Sequence, residues 1–411
     1  MKNSGVEWIG EIPDEWEVSK IGQLYEERRT KVSDTVYPPL SVTMQGILPQ
    51  LETAAKSDAH DDRKLVLKGD FAINSRSDRR GSCGISEFDG SVSLINTVLH
   101  PKTEMNPIYY NWLFHSFRFS DEYYKNGHGI VDDLWTTSWT EMKKIFIPLP
   151  PKSTQQRIAS YLDKKCNKIE ETIQNQQQVI EKLKAYKQSL ITEAVTGKIK
   201  IQNEIPDFKY CNLGFIAEFK NGLNYNASDF GTEVKFLGVG DFQNYLVLND
   251  ESMFSNIITD TEIEDDYYLK NGDIIFVRSN GSKELVGRAI MVDNIDFKVT
   301  YSGFCIRLRN KEPQKINSKF LLYFFRSDHF RNELQRLSQG SNISNINQDL
   351  LSHIKIPLVE MRFQESVIDF LNKKCTAIDT AIEQKQKLIE KLTEYKKSLI
   401  YECVTGKKEV N

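Results

Sequence analysis

From Leu162 onward, apolar residues recur at alternating spacings of three and four through Cys166, Ile169, Ile173, Ile180, Leu183 and Leu190. This spacing gathers one face of a helix into a single seam. Gln176 and Lys187 interrupt the seam as two polar layers, and no Gly or Pro falls between Lys152 and Gly197. The pattern predicts a helix of about 43 residues, roughly 64 Å long at 1.5 Å per residue. Pro150 and Pro151 bar an earlier start, Ser153 and Gln156 have the spacing of a capping box, and Thr196 with Gly197 supplies the stop. The seam returns at Leu371, Cys375, Ile378, Ile382, Ile389, Leu392 and Leu399, with Lys385 and Lys396 in its polar layers. Indeed the whole stretch from Ile147 to Lys198 aligns without a gap on Ile356 to Lys407, with about half of the positions identical. A long internal repeat is therefore the dominant feature of the chain. The second copy has Val359, Glu360, Met361 and Arg362 where the first has its prolines and serine, so its start is less sharply marked.

The segments between the helices alternate differently. Short β-branched and aromatic runs, such as Leu40 to Val42, Leu65 to Leu67, Phe71 to Ile73 and Ser91 to Leu99, are separated by polar, Gly-containing turns, which is a strand pattern. One helix is predicted from Pro107 to Phe119, and Ile145 to Leu149 reads as a last strand. Traces of the first segment reappear in the second. Ile12, Pro13 and Asp14 are echoed by Ile205, Pro206 and Asp207; Asn317 to Phe325 matches the helix starting at Asn106. Leu67 to Asp70 leading to Arg76 and Ser77 parallels Leu269 to Asp273 leading to Arg278 and Ser279, with a shift of one residue. The organisation expected is a domain over 1–150, a helix over 151–198, a second domain over 199–359 and a second helix over 360–411, an α+β arrangement of two mixed α/β domains.

Composition is that of a soluble globular protein, and no apolar run approaches the ~20 residues that span a bilayer, so a cytoplasmic location without membrane contact is expected. The six cysteines form no CxxC pair, which argues against zinc and against a disulfide framework. A net charge of −3 argues against a simple DNA-coating protein, although the repeated segments are basic and the domains mildly acidic. Enzyme signatures are missing: Gly238 and Gly240 lack a third glycine, and there is no phosphate-binding GxxxxGK[ST], no HExxH, no GxSxG and no [ND]PP[YF]. The acidic cluster Glu262, Glu264, Asp265 and Asp266 reads as a solvated turn. No metal site and no catalytic residue is expected.

What stands out instead is a set of polar loops. Arg76, Ser77, Arg79 and Arg80 occupy one, Arg278, Asn280 and Lys283 the matching place in the second domain, and Asn342 and Asn345 a third. Arg pairs with guanine and Asn with adenine in the major groove, while Ser and Lys hold phosphates, so these nine are the candidate DNA contacts. The duplicated seam alone would equally suit a coiled-coil scaffold that binds proteins, which salt-dependent duplex binding would separate from a DNA reader.

WIGEIPDEWE at Trp8 to Glu17, LKNGDIIFVRSNGS at Leu269 to Ser282, the IPLPP…QQRIASYLD entry to the first helix and the two helices ending in TGK together resemble the specificity subunit of a type I restriction-modification enzyme, over essentially the full length. The resemblance implies two target recognition domains separated by two long antiparallel coiled-coil helices, a pseudo-two-fold internal repeat acting as spacer. It implies a non-catalytic chain that binds double-stranded DNA and no cofactor of its own. Two modification subunits would carry S-adenosylmethionine and methylate adenine, and restriction subunits would add ATP- and Mg-dependent translocation and cleavage. The lysines on the exposed helix faces, Lys164, Lys165, Lys182, Lys184, Lys373, Lys374, Lys391 and Lys397, are the expected docking surface for modification subunits.

Overall fold

In the computed structural model two helices of 44 residues run over Lys152–Val195 and Met361–Val404. The residues described are all except 51–60, 130–134, 203, 205, 225–230, 243–244, 261, 283, 339–344 and 411. The first helix does not start through Ser153. The Pro151 carbonyl accepts from the Thr154 and Gln155 amides, both at 2.9 Å, which places Ser153 inside the first turn. Proline suits the position, because a residue ahead of the first turn has no helical N–H to contribute. Glu360 does the same in the second helix, accepting from Phe363 and Gln364 at 3.0 and 3.1 Å, so the two starts are equivalent despite their different sequences. Both helices end on a left-handed glycine, Gly197 at φ +70° and Gly406 at φ +72°. The Lys198 amide then reaches back to Glu193 O and that of Lys407 to Glu402 O, each at 2.8 Å, the Schellman closure. A Cβ at Gly197 would lie 2.1 Å from Phe208 Cε2, so glycine is required there for space as well as for backbone.

The chain divides into two compact units, Met1–Gln177 with Gln386–Asn411, and Gln178–Lys385. Each long helix contributes residues to both. In the first unit an antiparallel sheet has the order Cys83–Ile85, Phe71–Asn74, Asn96–Pro101, Tyr25–Glu27. Where a single helix is predicted from Pro107, the structure has two, Pro107–Phe114 and Phe117–Lys125. Ser116 makes the break: its hydroxyl donates to Leu113 O at 2.7 Å and accepts from the Phe119 amide at 3.4 Å, capping the second helix. Phe71, Tyr109, Phe114 and Phe119 form the core, closed by Leu162 and Cys166 of the first long helix and Leu399 and Val404 of the second. Trp112 Nε1 donates to Asp163 at 2.7 Å, Tyr109 OH to Val404 O at 2.8 Å, and Lys396 pairs with Glu170 at 2.8 Å.

The second unit keeps the same strand order and adds one parallel strand: Ala217–Asn221, Cys305–Asn310, Ile274–Val277, Ala289–Val292, Val247–Leu248. Helices Ser318–Phe325 and Asp328–Leu337, again divided by a capping serine, Ser327, cover the sheet. Phe276, Phe320 and Phe324 pack with Leu190 and Ala194 of the first long helix and Phe363 and Leu371 of the second. Here Tyr323 OH bonds Asn372 at 2.6 Å, and Lys187 pairs with Asp379 at 2.6 Å. No helix among the described residues is long and apolar enough to cross a membrane.

The first unit carries a pH-sensitive residue. His115 is held between Asn111 O, 2.7 Å from Nδ1, and Cys83 Sγ, 3.7 Å from Nε2. Burial lowers its pKa below the ordinary 6.5, more than its bonds to Asn111 and Cys83 raise it. As pH falls through 6.5 the unfolded chain takes up a proton that folded His115 resists, so stability drops on acidification until the folded pKa is reached. All five tryptophans lie in this unit, and their fluorescence reports its melting. His115→Gln is expected to flatten the fall in stability between about pH 7.5 and pH 5.5, and an unaltered slope would assign the fall to other groups.

Candidate nucleic-acid interface

In each unit one loop of the candidate set follows an inner strand of the sheet, and that strand begins just past a glycine turn. Gly69 at φ +91° and Gly272 at φ +88° make the turns. A buried aspartate fixes each one. Asp70 accepts from Arg28 Nε and Nη2 at 2.7 and 3.0 Å, and Asp273 accepts from Arg309 Nε and Nη2 at 2.8 and 2.7 Å. The strands that follow, Phe71–Asn74 and Ile274–Val277, are thereby held in corresponding places.

Past the first strand, Thr137 N donates to Ser75 O at 3.0 Å, Ser77 N to Trp135 O at 3.0 Å, and Arg76 bridges to Thr136. Tyr124 OH reaches Asn74 O and Arg79 O at 3.2 and 3.4 Å. Arg79 and Arg80 project outward with side chains 68% and 59% exposed, near Asp78 and Asp121 respectively, and Arg80 lies over the Tyr124 ring. Arg76 is less exposed and has Asp78 at 3.9 Å. In the second unit Ile346 N donates to Arg278 O at 2.9 Å, Ser279 bridges to Asn345, and Asn280 Oδ1 accepts from Ser282 N at 2.7 Å. Lys283 and Asn342 lie outside the described residues.

These contacts correct the pairing read from the sequence. Counted from the anchored aspartates, Arg278 stands at the place of Ser75, and Arg76 at the place of Ser279. One residue fewer separates Asp273 from Arg278 than Asp70 from Arg76. Neighbouring residues of an extended chain face opposite ways, so the two arginines are not counterparts.

Among the seam residues, Leu162, Ile169, Ile180, Leu190, Leu371, Ile378 and Leu399 are buried, and Ile173, Leu183, Ile382, Ile389 and Leu392 half-buried. The acidic cluster is occupied by the protein's own cations: Asp266 pairs with Lys220, Arg307 and Arg309, and Asp265 with Lys298. The bond from Lys220, with Arg307 beside it, holds the Asp266 carboxyl below its usual range. No group of His, Cys, Asp or Glu among the described residues is arranged to hold a metal ion.

Sequence patterns missed two buried glutamines that tie each domain to its long helix. Gln155 Oε1 accepts from Asn106 N at 3.0 Å while Nε2 donates to Pro150 O at 2.9 Å; Gln364 Oε1 accepts from Asn317 N at 2.8 Å while Nε2 donates to Lys315 O and Val359 O. Their only sequence signal is that Gln155 and Gln364 occupy the same place in the aligned repeat.

Two α+β units with one strand order, each built with parts of two long helices and each extending an anchored polar loop, define a class of duplicated, loop-bearing binding protein. Residues 13–182 and 206–394 match the type I restriction modification DNA specificity domain. The chain belongs to this family, with two copies of its domain. It is similar to the type I restriction enzyme MjaVIII specificity subunit of Methanocaldococcus jannaschii, 27% identical with 96% of this chain and 93% of that protein covered. It also resembles the StySPI specificity subunit of Salmonella potsdam, 28% identical over 64% of this chain and 57% of that one. Among solved structures, a chain from a study of complex assembly and conformational transition in the type I R-M system has the same fold, with a TM-score of 0.75 at 14% identity and coverage of 97% of this chain and 100% of that one. The HsdS subunit from Thermoanaerobacter tengcongensis gives 0.56 at 15% identity, covering 97% of this chain and 98% of that one.

Proposed function

We propose that this chain is the DNA-reading, non-catalytic subunit of a type I restriction-modification assembly, and that its target is bipartite and asymmetric. The domain over 1–150 reads one half and the domain over 199–359 the other, with unread base pairs between. The observation that supports this most directly is that corresponding places in the two units carry anchored polar loops of different composition, Arg76 to Arg80 in one and Arg278 to Asn280 in the other. Like scaffolds with unlike loops favour two half-sites of unlike sequence.

The segments 151–198 and 360–411 are proposed to pair antiparallel as a pseudo-two-fold coiled-coil spacer. Two ion pairs support this. Lys187 and Lys396 are counterparts in the repeat, as are Glu170 and Asp379, and the pairs found are Lys396 with Glu170 and Lys187 with Asp379. Each lysine pairs with the carboxylate of the other copy, as two-fold symmetry requires. Helices of 44 residues extend about 66 Å, ample for half-sites whose centres lie about one duplex turn, roughly 34 Å, apart. The exposed lysines of the helices would dock two modification subunits, which use S-adenosylmethionine to methylate adenine; restriction subunits would add ATP and Mg. Because the domains are mildly acidic, much of the attraction for phosphate is assigned to those partners.

Mapping modified adenines across the genome of a host carrying the system tests this proposal. A gapped motif with two different halves is expected, and a continuous or palindromic motif overturns it. In the same assay Arg278→Ala is expected to relax one position of one half, a loss of about 1 to 3 kcal/mol in discrimination.

A further inference from the structure

Phe304 stands in the turn between Val299–Tyr301 and Cys305–Asn310 with 58% of its surface exposed. The exposure is not that of a fraying loop. Phe304 O accepts from Arg278 N at 2.8 Å, Phe304 N donates to Ser302 Oγ at 3.2 Å, and Gly303 N donates to Leu223 O at 2.9 Å. Cys305 N closes the turn onto Ser302 O at 2.8 Å. A large apolar ring is thus carried into solvent on a pinned backbone, one hydrogen bond away from a candidate DNA-contacting arginine. Among the described residues the other strongly exposed phenylalanine of this unit, Phe215, belongs to the turn Leu213–Phe215, which is tied to Ile354 rather than to the loop. In the first unit the corresponding place is held by Ile95, whose carbonyl accepts from Ser75, the residue at Arg278's place, and which is half-buried, so the exposed ring is particular to the second unit.

We propose that Phe304 reads a thymine in the half-site of the C-terminal domain, its ring lying against the C5-methyl group in the major groove. This rests on the DNA-reading function proposed above. Arginine and asparagine recognise guanine and adenine by hydrogen bonds, but a methyl group offers none and is read by an apolar side chain that excludes water from it. Arg278 and Phe304, joined by that backbone hydrogen bond, supply both kinds of contact.

The test uses the assembled complex with modification subunits and a duplex carrying the motif found by methylation mapping. Each thymine of the C-terminal half-site is replaced in turn by uracil, which removes only the methyl. One replacement is expected to weaken wild-type binding about fourfold, the worth of one buried methyl group. Phe304→Ala should weaken binding to the thymine duplex and become indifferent to that replacement, while Phe304→Leu should keep the preference. A half-site with no methyl-sensitive thymine, or an alanine variant that still discriminates, overturns the assignment. So does a 2-aminopurine signal showing that the ring unstacks bases regardless of the methyl. If the wild-type complex binds its motif no better than a scrambled duplex, the DNA-reading function falls too, whereas the preceding outcomes remove Phe304 alone.

Discussion

Asp70→Ala is expected to destabilise the first unit by about 3 to 5 kcal/mol, seen as an early loss of tryptophan fluorescence on heating or in urea. Asp70 is 3% exposed and accepts three hydrogen bonds, two from the Arg28 guanidinium and one from the Leu67 amide at 2.8 Å. Truncation leaves a guanidinium with a 21% exposed side chain without its carboxylate partner, and it frees the turn that launches the strand to Arg76. The cost of such a change comes chiefly from the charge left behind. Asp70→Asn, which keeps an acceptor, should lose less. A midpoint corresponding to less than about 1 kcal/mol for the alanine variant would show that the clasp is not what sets the loop.

Gln364→Leu should cost the second unit about 3 kcal/mol, because it conserves volume but takes the partner from one amide hydrogen and two carbonyls around a side chain with no exposure of its own, at about 1 kcal/mol for the carbonyl of exposed Lys315 and more for the others. Gln155→Leu removes two such bonds rather than three and is expected to cost the first unit less. The second unit contains no tryptophan, so hydrogen exchange at the Asn317 amide is the direct reading. Protection of that amide in the variant equal to wild type would remove the glutamine from its assigned role.

The long helices were legible because their signal is cumulative: dozens of residues without Gly or Pro, a seam and a glycine just past each C-terminus. Their starts were less so. Ser153 has the composition of a cap, yet Pro151 takes the position, because a carbonyl serves to begin a helix whatever side chain accompanies it. The short aromatic helix was read as one piece since Phe117 and Phe119 extend the apolar spacing across Ser116, and only the serine's bonds reveal the break. Candidate loops could be located but not aligned. Shared letters, Arg followed by Ser, suggested a correspondence that the anchored aspartates shift by one residue. Phe304 escaped notice for a related reason: one apolar residue in a turn has no period, and its exposure is decided by the bonds that pin the turn.

The division of the helices between units has a consequence for how the chain acquires its structure. Gln178–Lys385 is a continuous stretch, whereas the first unit takes in Gln386–Asn411. On a ribosome the second unit has all of its residues available while the first still lacks Leu399, Ile400, Cys403 and Val404 from its core. Tyr109 must likewise wait for the carbonyl of Val404, and Trp8 for the hydroxyl of Tyr401. The part made first is therefore completed last, and a nascent chain stalled before Val404 would expose the aromatic core around Phe71 and Phe119 to chaperones and proteases.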